Sequence, residues 1–328
     1  MALLIMIMLV GLAAANGAND VSKGVATLAG AGVTAYRTAI LWGTAATCAG
    51  ALLSIQLGRG MGKLFSTGIF SGTPTSEFAL AVLVGAASWV TLASVTKLPV
   101  STTHAIVGSL IGAGLVLRAD AVRWDGLVAK VVVPLLLSIA VAYAVSLVLT
   151  LLARLITPKN AEPAVEAPQP VSDRGSFAAL NGLHWLSSGA ASAARGLNDT
   201  PKIAAIGGFA LIPAGYSATT VSLVVALAMT AGSLLGVRVA RRLGEKVVRL
   251  NHTEGFTANL TTATLVGLGG VYGWPMSTTQ VSTGAIVGTA RTDLSRLSGK
   301  TLRDFGIAWL VTPIWGAAVA ALVMSFAK

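Results

Sequence analysis

Cysteine is almost missing from this 328-residue chain: Cys48 stands alone inside an apolar run, which excludes an intramolecular disulfide. Three histidines with no Cys/His cluster argue against a dedicated zinc site. Charge is equally scarce, at 11% of residues, against 54% hydrophobic residues, 37 glycines and a mean hydropathy of +0.78. That balance excludes a water-soluble globule and predicts an all-α polytopic membrane protein, because runs of about 20 apolar residues cross a bilayer as helices. The formal net charge of +11 would suggest a nucleic-acid partner in a soluble protein. Here Lys and Arg gather between apolar segments, where they act as topology signals, and no nucleic-acid partner is expected. The apolar N-terminus lacks a basic leading region and runs straight into Asn16-Gly17-Ala18-Asn19-Asp20, so it reads as a membrane helix and not as a cleaved signal.

What the chain does contain is a duplication. Pro99-Val100-Ser101-Thr102-Thr103 returns 176 residues later as Pro275-Met276-Ser277-Thr278-Thr279, each followed by an apolar helical run with Gly at matching places. Proline suits the first turn of a helix and the hydroxyls can cap free N–H groups, so each copy predicts a helix N-terminus. Exposed backbone N–H groups, the positive end of the helix dipole and three hydroxyls suit a small oxyanion, and two facing copies could enclose one tetrahedral anion. The bland alternative is that these hydroxyls bond back to their own helices. Gly108/Gly112 and Gly284/Gly288 leave a smooth face on each helix, which predicts close approach of another backbone.

A second motif repeats at an offset of 179: Gly17-Ala18-Asn19-Asp20-Val21-Ser22-Lys23 against Gly196-Leu197-Asn198-Asp199-Thr200-Pro201-Lys202. Of the twelve acidic residues, only Asp20 and Asp199 fall within hydrophobic helical surroundings, the other ten lying in connectors or at segment ends. Ionisable groups at that depth are costly and usually functional. A polar interruption between apolar half-segments predicts a broken helix, whose freed carbonyls with Asn and Asp oxygens make a cage for Na⁺ or a titrating carboxylate. Alternatively, each Asp pairs with the Lys one turn on, Lys23 or Lys202.

In order, the chain offers a first transmembrane repeat over 1–156, a flexible Pro-rich linker over 157–174 and a second repeat over 175–328. Spans are expected near 38–58, 78–95, 131–155, 177–194, 217–237, 256–271 and 305–326, with a re-entrant Ser-Thr-Thr hairpin in each half. Arg238, Arg241, Arg242, Lys246 and Arg249 form the densest short basic loop and should be cytoplasmic.

Both motifs, in this order and spread over nearly the whole chain, give it a specific resemblance to the inorganic phosphate transporter (PiT) family. The resemblance implies two inverted-topology repeats and phosphate uptake by symport with Na⁺ or H⁺ in a multi-pass protein of a bacterial or archaeal plasma membrane. It implies an anion held among Ser101, Thr102, Thr103, Ser277, Thr278 and Thr279, and a coupling cation near Asn19, Asp20, Asn198 and Asp199. The chain departs from the family pattern at Lys23, Arg195 and Gln280, and where Thr47 and Asn259 replace glutamates. Lys23 would put an ammonium where relatives place a metal cation, which favours proton coupling or a single Na⁺ site.

Three function classes compete. An enzyme needs a nucleophile or acid–base pair beside the anion, and only His104 stands in a hairpin, so no catalytic residue and no cofactor beyond the coupling cation are expected. A passive channel conflicts with Asp20 and Asp199 unless a cation neutralises them. Sulfate and other tetrahedral oxyanions remain alternatives to phosphate, and a homo-oligomer is left open.

Overall fold

The computed structural model describes residues 1–156, 176–247, 250–290 and 293–327, and the 157–174 linker expected from the sequence lies outside them. The first half carries α1 (Ala2–Asp20), α2 (Ser22–Gly30), α3 (Tyr36–Leu57), α4 (Arg59–Lys63), α5 (Ser76–Val95), α6 (Thr102–Arg118), α7 (Trp124–Leu127) and α8 (Val133–Ile156). The second carries α9 (Ser176–Leu211), α10 (Ala218–Ser233), α11 (Val237–Lys246), α12 (His252–Tyr272), α13 (Thr278–Thr289) and α14 (Gly299–Ala327). Helices are what a bilayer demands, since each backbone polar group must find its partner within its own segment. Among the described residues no strand forms, only an isolated bridge between Phe70 and Val122.

Among the described residues six stretches are long and apolar enough to cross a membrane, and α10 with α11 makes a seventh that bends by 64°. The chain is thus a multi-pass integral membrane protein. Helices α9 and α12 escape that apolarity test because their polar residues face inward: Arg195, Asn198 and Asp199 on α9 and Thr257, Asn259 and Thr261 on α12 are all buried. At 36 residues α9 is about 54 Å long, ample for a crossing.

The repeats interlock by exchange. Helix α3 packs on α9 while α10 packs on α1, and α8 packs on α13 while α14 packs on α6. The glycines explain why. A Cβ on Gly50 would run into the Ala193 backbone, and one on Gly232 into the backbone of Ala14, the residue 179 positions before Ala193. Gly108 and Gly112 lie against Pro313 and Ala317, and Gly284 and Gly288 against Ile139 and Tyr143, so the predicted smooth faces do admit a second backbone. The two Ser-Thr-Thr helices start inside the bundle; α13, at 12 residues, is about 18 Å long, too short to cross alone, whereas Thr102–Ala121 is long and apolar enough to cross, which does not match the re-entrant hairpin expected of the first copy.

The expected breaks differ in form from the sequence reading. Helix α1 continues through Asn16–Asp20 and meets α2 after the single residue Val21, which is itself helical in φ and ψ. In the second half the motif lies inside continuous α9, with Pro201 within the helix and one backbone bond forgone. The backbone stays wound because the polar side chains find partners on other helices. The sharpest break falls instead between α10 and α11.

Candidate functional site

Ser101 is the N-cap of α6 and accepts from the His104 backbone N–H at 3.3 Å, and Ser277 does the same for Gln280 on α13, also at 3.3 Å. The helices therefore begin at Thr102 and Thr278. Pro99 and Pro275 stand two residues before the caps and not in the first turn, because Ser outcompetes its neighbours as an N-cap. The caps touch: Ser277 Oγ donates to Ser101 Oγ at 2.9 Å. Two positive helix ends meet in the buried middle of the bundle.

The other hydroxyls divide into two pairs. Thr279 donates to the Val100 carbonyl at 2.6 Å and Thr103 to the Met276 carbonyl at 3.4 Å, so each ties its helix to the segment that leads into the opposite helix. Thr102 Oγ1 accepts from Asn16 Nδ2 at 2.9 Å, and Thr278 Oγ1 accepts from Asn198 Nδ2 at 3.4 Å. Among the described residues neither Thr102 nor Thr278 donates to a carbonyl of its own helix, which leaves each proton for another acceptor.

The second motif surrounds these helix ends. Lys23 Nζ lies 2.5 Å from Asp20 Oδ1, 2.8 Å from Asn19 Oδ1, 3.2 Å from the Asn19 carbonyl and 3.4 Å from the Val100 carbonyl. Its counterpart Lys202 Nζ lies 3.2 Å from Asp199 Oδ1, 2.8 Å from Thr103 Oγ1 and 3.1 Å from the Met276 carbonyl. Each ammonium thus sits in a cluster of oxygens, and the Asp–Lys pairing read as an alternative from the sequence is present in both halves. Asn19 also donates to the Leu98 carbonyl at 2.9 Å, fastening α1 to the loop that leads into α6.

Two residues complete the site that the motifs did not single out. Asn16 Nδ2 reaches Asp20 Oδ2 at 3.2 Å and Asp199 Oδ2 at 3.4 Å as well as Thr102, which brings both carboxylates to one point. Arg195 is fully buried, with its guanidinium near the Gly17 carbonyl at 3.4 Å and its charge acting on both Asp20 and Asp199. Asn16 and Arg195 occupy the same repeat position, 179 apart, and their difference in type kept them out of the repeated motif. Lys23, Lys202 and Arg195 are three buried cations against two buried carboxylates, and two helix N-termini add partial positive charge. Buried charge must be balanced, so a net positive centre favours an anion. Asn16 Oδ1, Asn198 Oδ1 and Arg195 Nε, moreover, have no partner among the described residues.

Elsewhere, one carboxylate read as lying at a segment end is buried. Glu254 closes a capping box with Asn251 at the start of α12 and accepts two bonds from Arg296, at 2.9 and 2.8 Å, and one from Arg154 at 3.2 Å. Buried Thr47 donates to the Ser192 carbonyl at 3.3 Å. Among the described residues no three of His, Cys, Asp and Glu come together as a metal-binding group.

Repeats that interlock around two opposed, buried helix N-termini define a membrane transporter. The chain belongs to the phosphate transporter family, whose description matches residues 16–320, a family of carriers and not of enzymes. It is 29% identical over 316 residues to a "Probable low-affinity inorganic phosphate transporter" of Mycobacterium leprae, covering 92% of this chain and 72% of that one. A protein of the same description from Rhizobium meliloti is 27% identical over 317 residues, covering 94% and 90%. In fold it is similar to a solved structure described as "The sodium-dependent phosphate transporter", with a TM-score of 0.88 and 24% identity over 100% of this chain and 98% of that one.

Proposed function

We propose that this chain carries inorganic phosphate across the membrane by symport with a cation, the anion being held between α6 and α13. The observation that carries the reading is the Ser101–Ser277 contact at 2.9 Å, which brings two helix N-termini together in a centre of net positive charge. Thr102 and Thr278 supply hydroxyl donors, and Ser101, Thr103, Ser277 and Thr279 shape the cradle and bind its halves together. Asn19, Asp20, Asn198 and Asp199 form the coupling region, with Lys23 and Lys202 as charge partners. Phosphate is favoured over sulfate because it retains a proton that Asp20 or Asp199 can accept, and Asn16 places both carboxylates beside Thr102.

The coupling cation is Na⁺ or H⁺. The oxygens around Lys23 and Lys202 already bind an ammonium, which favours the proton, or a single Na⁺, over two metal cations. Proteoliposomes test the reading. Phosphate should accumulate against its gradient and stop doing so when an ionophore dissipates the cation gradient. Equilibration without accumulation would mark an uncoupled channel, and steep dependence on more than one Na⁺ per phosphate would contradict the role given to the lysines.

A further inference from the structure

A cavity of about 670 Å³ lies away from the central site, where three spans begin or end: α5 at Val95, α10 at its bend into α11, and α14 at Gly299. Lys97, Arg238, Arg241, Arg242 and Lys300 line it. Two acids share the lining, and each is engaged: Asp304 by Arg242 at 3.2 Å and Glu245 by Arg241 at 3.7 Å. Lys97, Arg238 and Lys300 have no carboxylate within salt-bridge distance among the described residues. The cavity therefore carries a cationic surplus that the protein does not neutralise there.

Its surroundings are those of a membrane surface. Helix α11 buries Val239, Ala240 and Leu243 and turns Arg238 and Arg241 outward, the pattern of a helix lying in the interfacial plane. Its 64° bend from α10 suits that position. Leu234 and Leu235 at the bend, and Leu92 and Val95 at the end of α5, are exposed apolar residues next to the basic lining in the chain. Acyl chains fit against such residues, and an anionic headgroup fits against the cations beyond them.

Lys97 adds a separate indication. Its φ of 62° is left-handed, and Leu98 N–H bonds back to the Ala93 carbonyl at 2.8 Å to close the end of α5. Glycine is the residue such a turn favours, so a lysine here is kept at a conformational cost. Its position in the cavity lining supplies a use for the charge.

We propose that this cavity binds the headgroup of one anionic phospholipid. The site also touches the transport machinery: Arg242 donates to the Thr96 carbonyl at 3.4 Å, and two residues on Leu98 accepts from Asn19. The proposal stands whether or not the central anion is phosphate.

The test uses the full chain in nanodiscs of phosphatidylcholine with a minor share of phosphatidylglycerol, followed by native mass spectrometry of the lipid that stays bound. The parent should retain one phosphatidylglycerol in excess over its share of the bilayer. The double variant Arg238→Gln/Lys300→Gln should retain it roughly thirtyfold less, at about fivefold per interfacial cation. Lys97→Gly keeps the turn, relieves the left-handed backbone and should still lower retention roughly fivefold. Retention of the two lipids in proportion to their abundance, or equal retention by parent and variants, would overturn the proposal. So would displacement of the lipid by millimolar inorganic phosphate, which would assign the cavity to a free anion.

Discussion

Ser101 and Ser277, 176 residues apart in sequence, share a hydrogen bond of 2.9 Å while each caps its own helix. Each cap therefore supports a helix end and the junction between repeats at once. Ser101→Ala or Ser277→Ala should each cost about 1 kcal/mol of stability through the lost cap. In a double-mutant cycle the pair should show coupling of about 0.5–1.5 kcal/mol, because the second substitution no longer breaks the shared bond. Strict additivity of the two losses would mean that the caps act separately.

The exchanged packing makes a steric prediction. Gly50→Ala and Gly232→Ala place a methyl on the backbones of Ala193 and Ala14, so each should lower the thermal unfolding midpoint in detergent and reduce folded yield. Gly11→Ala is the control, since nothing lies within 4 Å of the added carbon, and it should be neutral or slightly stabilising. Equal behaviour of all three would remove the role given to the close helix contacts.

Glu254 gathers Arg154 and Arg296 at the start of α12. Glu254→Gln keeps the shape and removes the charge, leaving two guanidinium groups facing a neutral amide. Losing one partner of a buried ion pair costs about 3–5 kcal/mol, and the two arginines here are partly exposed, so a smaller loss, about 1–3 kcal/mol, is expected. Thermal unfolding of the purified variant reads it directly, and an unchanged midpoint would show that the cluster does not hold α12.

Most of this architecture is legible in the sequence because the duplication is written in matching residues. Ser101 and Ser277, Asn19 and Asn198, Asp20 and Asp199, and Lys23 and Lys202 are identical across the repeats, and identity at a fixed offset marks a shared site. Arg195 stands out in the sequence only as a departure from the family pattern, and neither it nor Asn16 is marked by the repeat, because the two halves place different residue types at that position. Helices α9 and α12 cover the spans expected near 177–194 and 256–271, although the polar residues they pack inward lower their apolarity. The motif's polar residues suggest an unwound helix because hydrogen bonds from α1 and α9 to Leu98, Thr102 and Met276 cannot be read from local sequence.

The division of labour between the motifs is open to direct measurement. Asp20→Asn or Asp199→Asn should abolish accumulation against a gradient while some phosphate binding survives at the hydroxyl cradle. Binding should also lose its dependence on cation or pH, since a cation strengthens anion binding only through a coupling free energy, and that coupling is reciprocal. Parental accumulation and ion dependence in both variants would leave the carboxylates as structural partners of Lys23 and Lys202.

The central claim is that one phosphate lies between the N-termini of α6 and α13, and equilibrium binding to purified protein tests it most directly. Thr102→Ala and Thr278→Ala each remove one hydroxyl donor and leave the caps and the ties through Thr103 and Thr279 in place. A hydrogen bond to a charged group is worth about 1.5–3 kcal/mol, so each variant should bind phosphate roughly ten- to hundredfold more weakly than the parent. Parental affinity in both variants, with normal folding, would contradict the account and place the anion elsewhere.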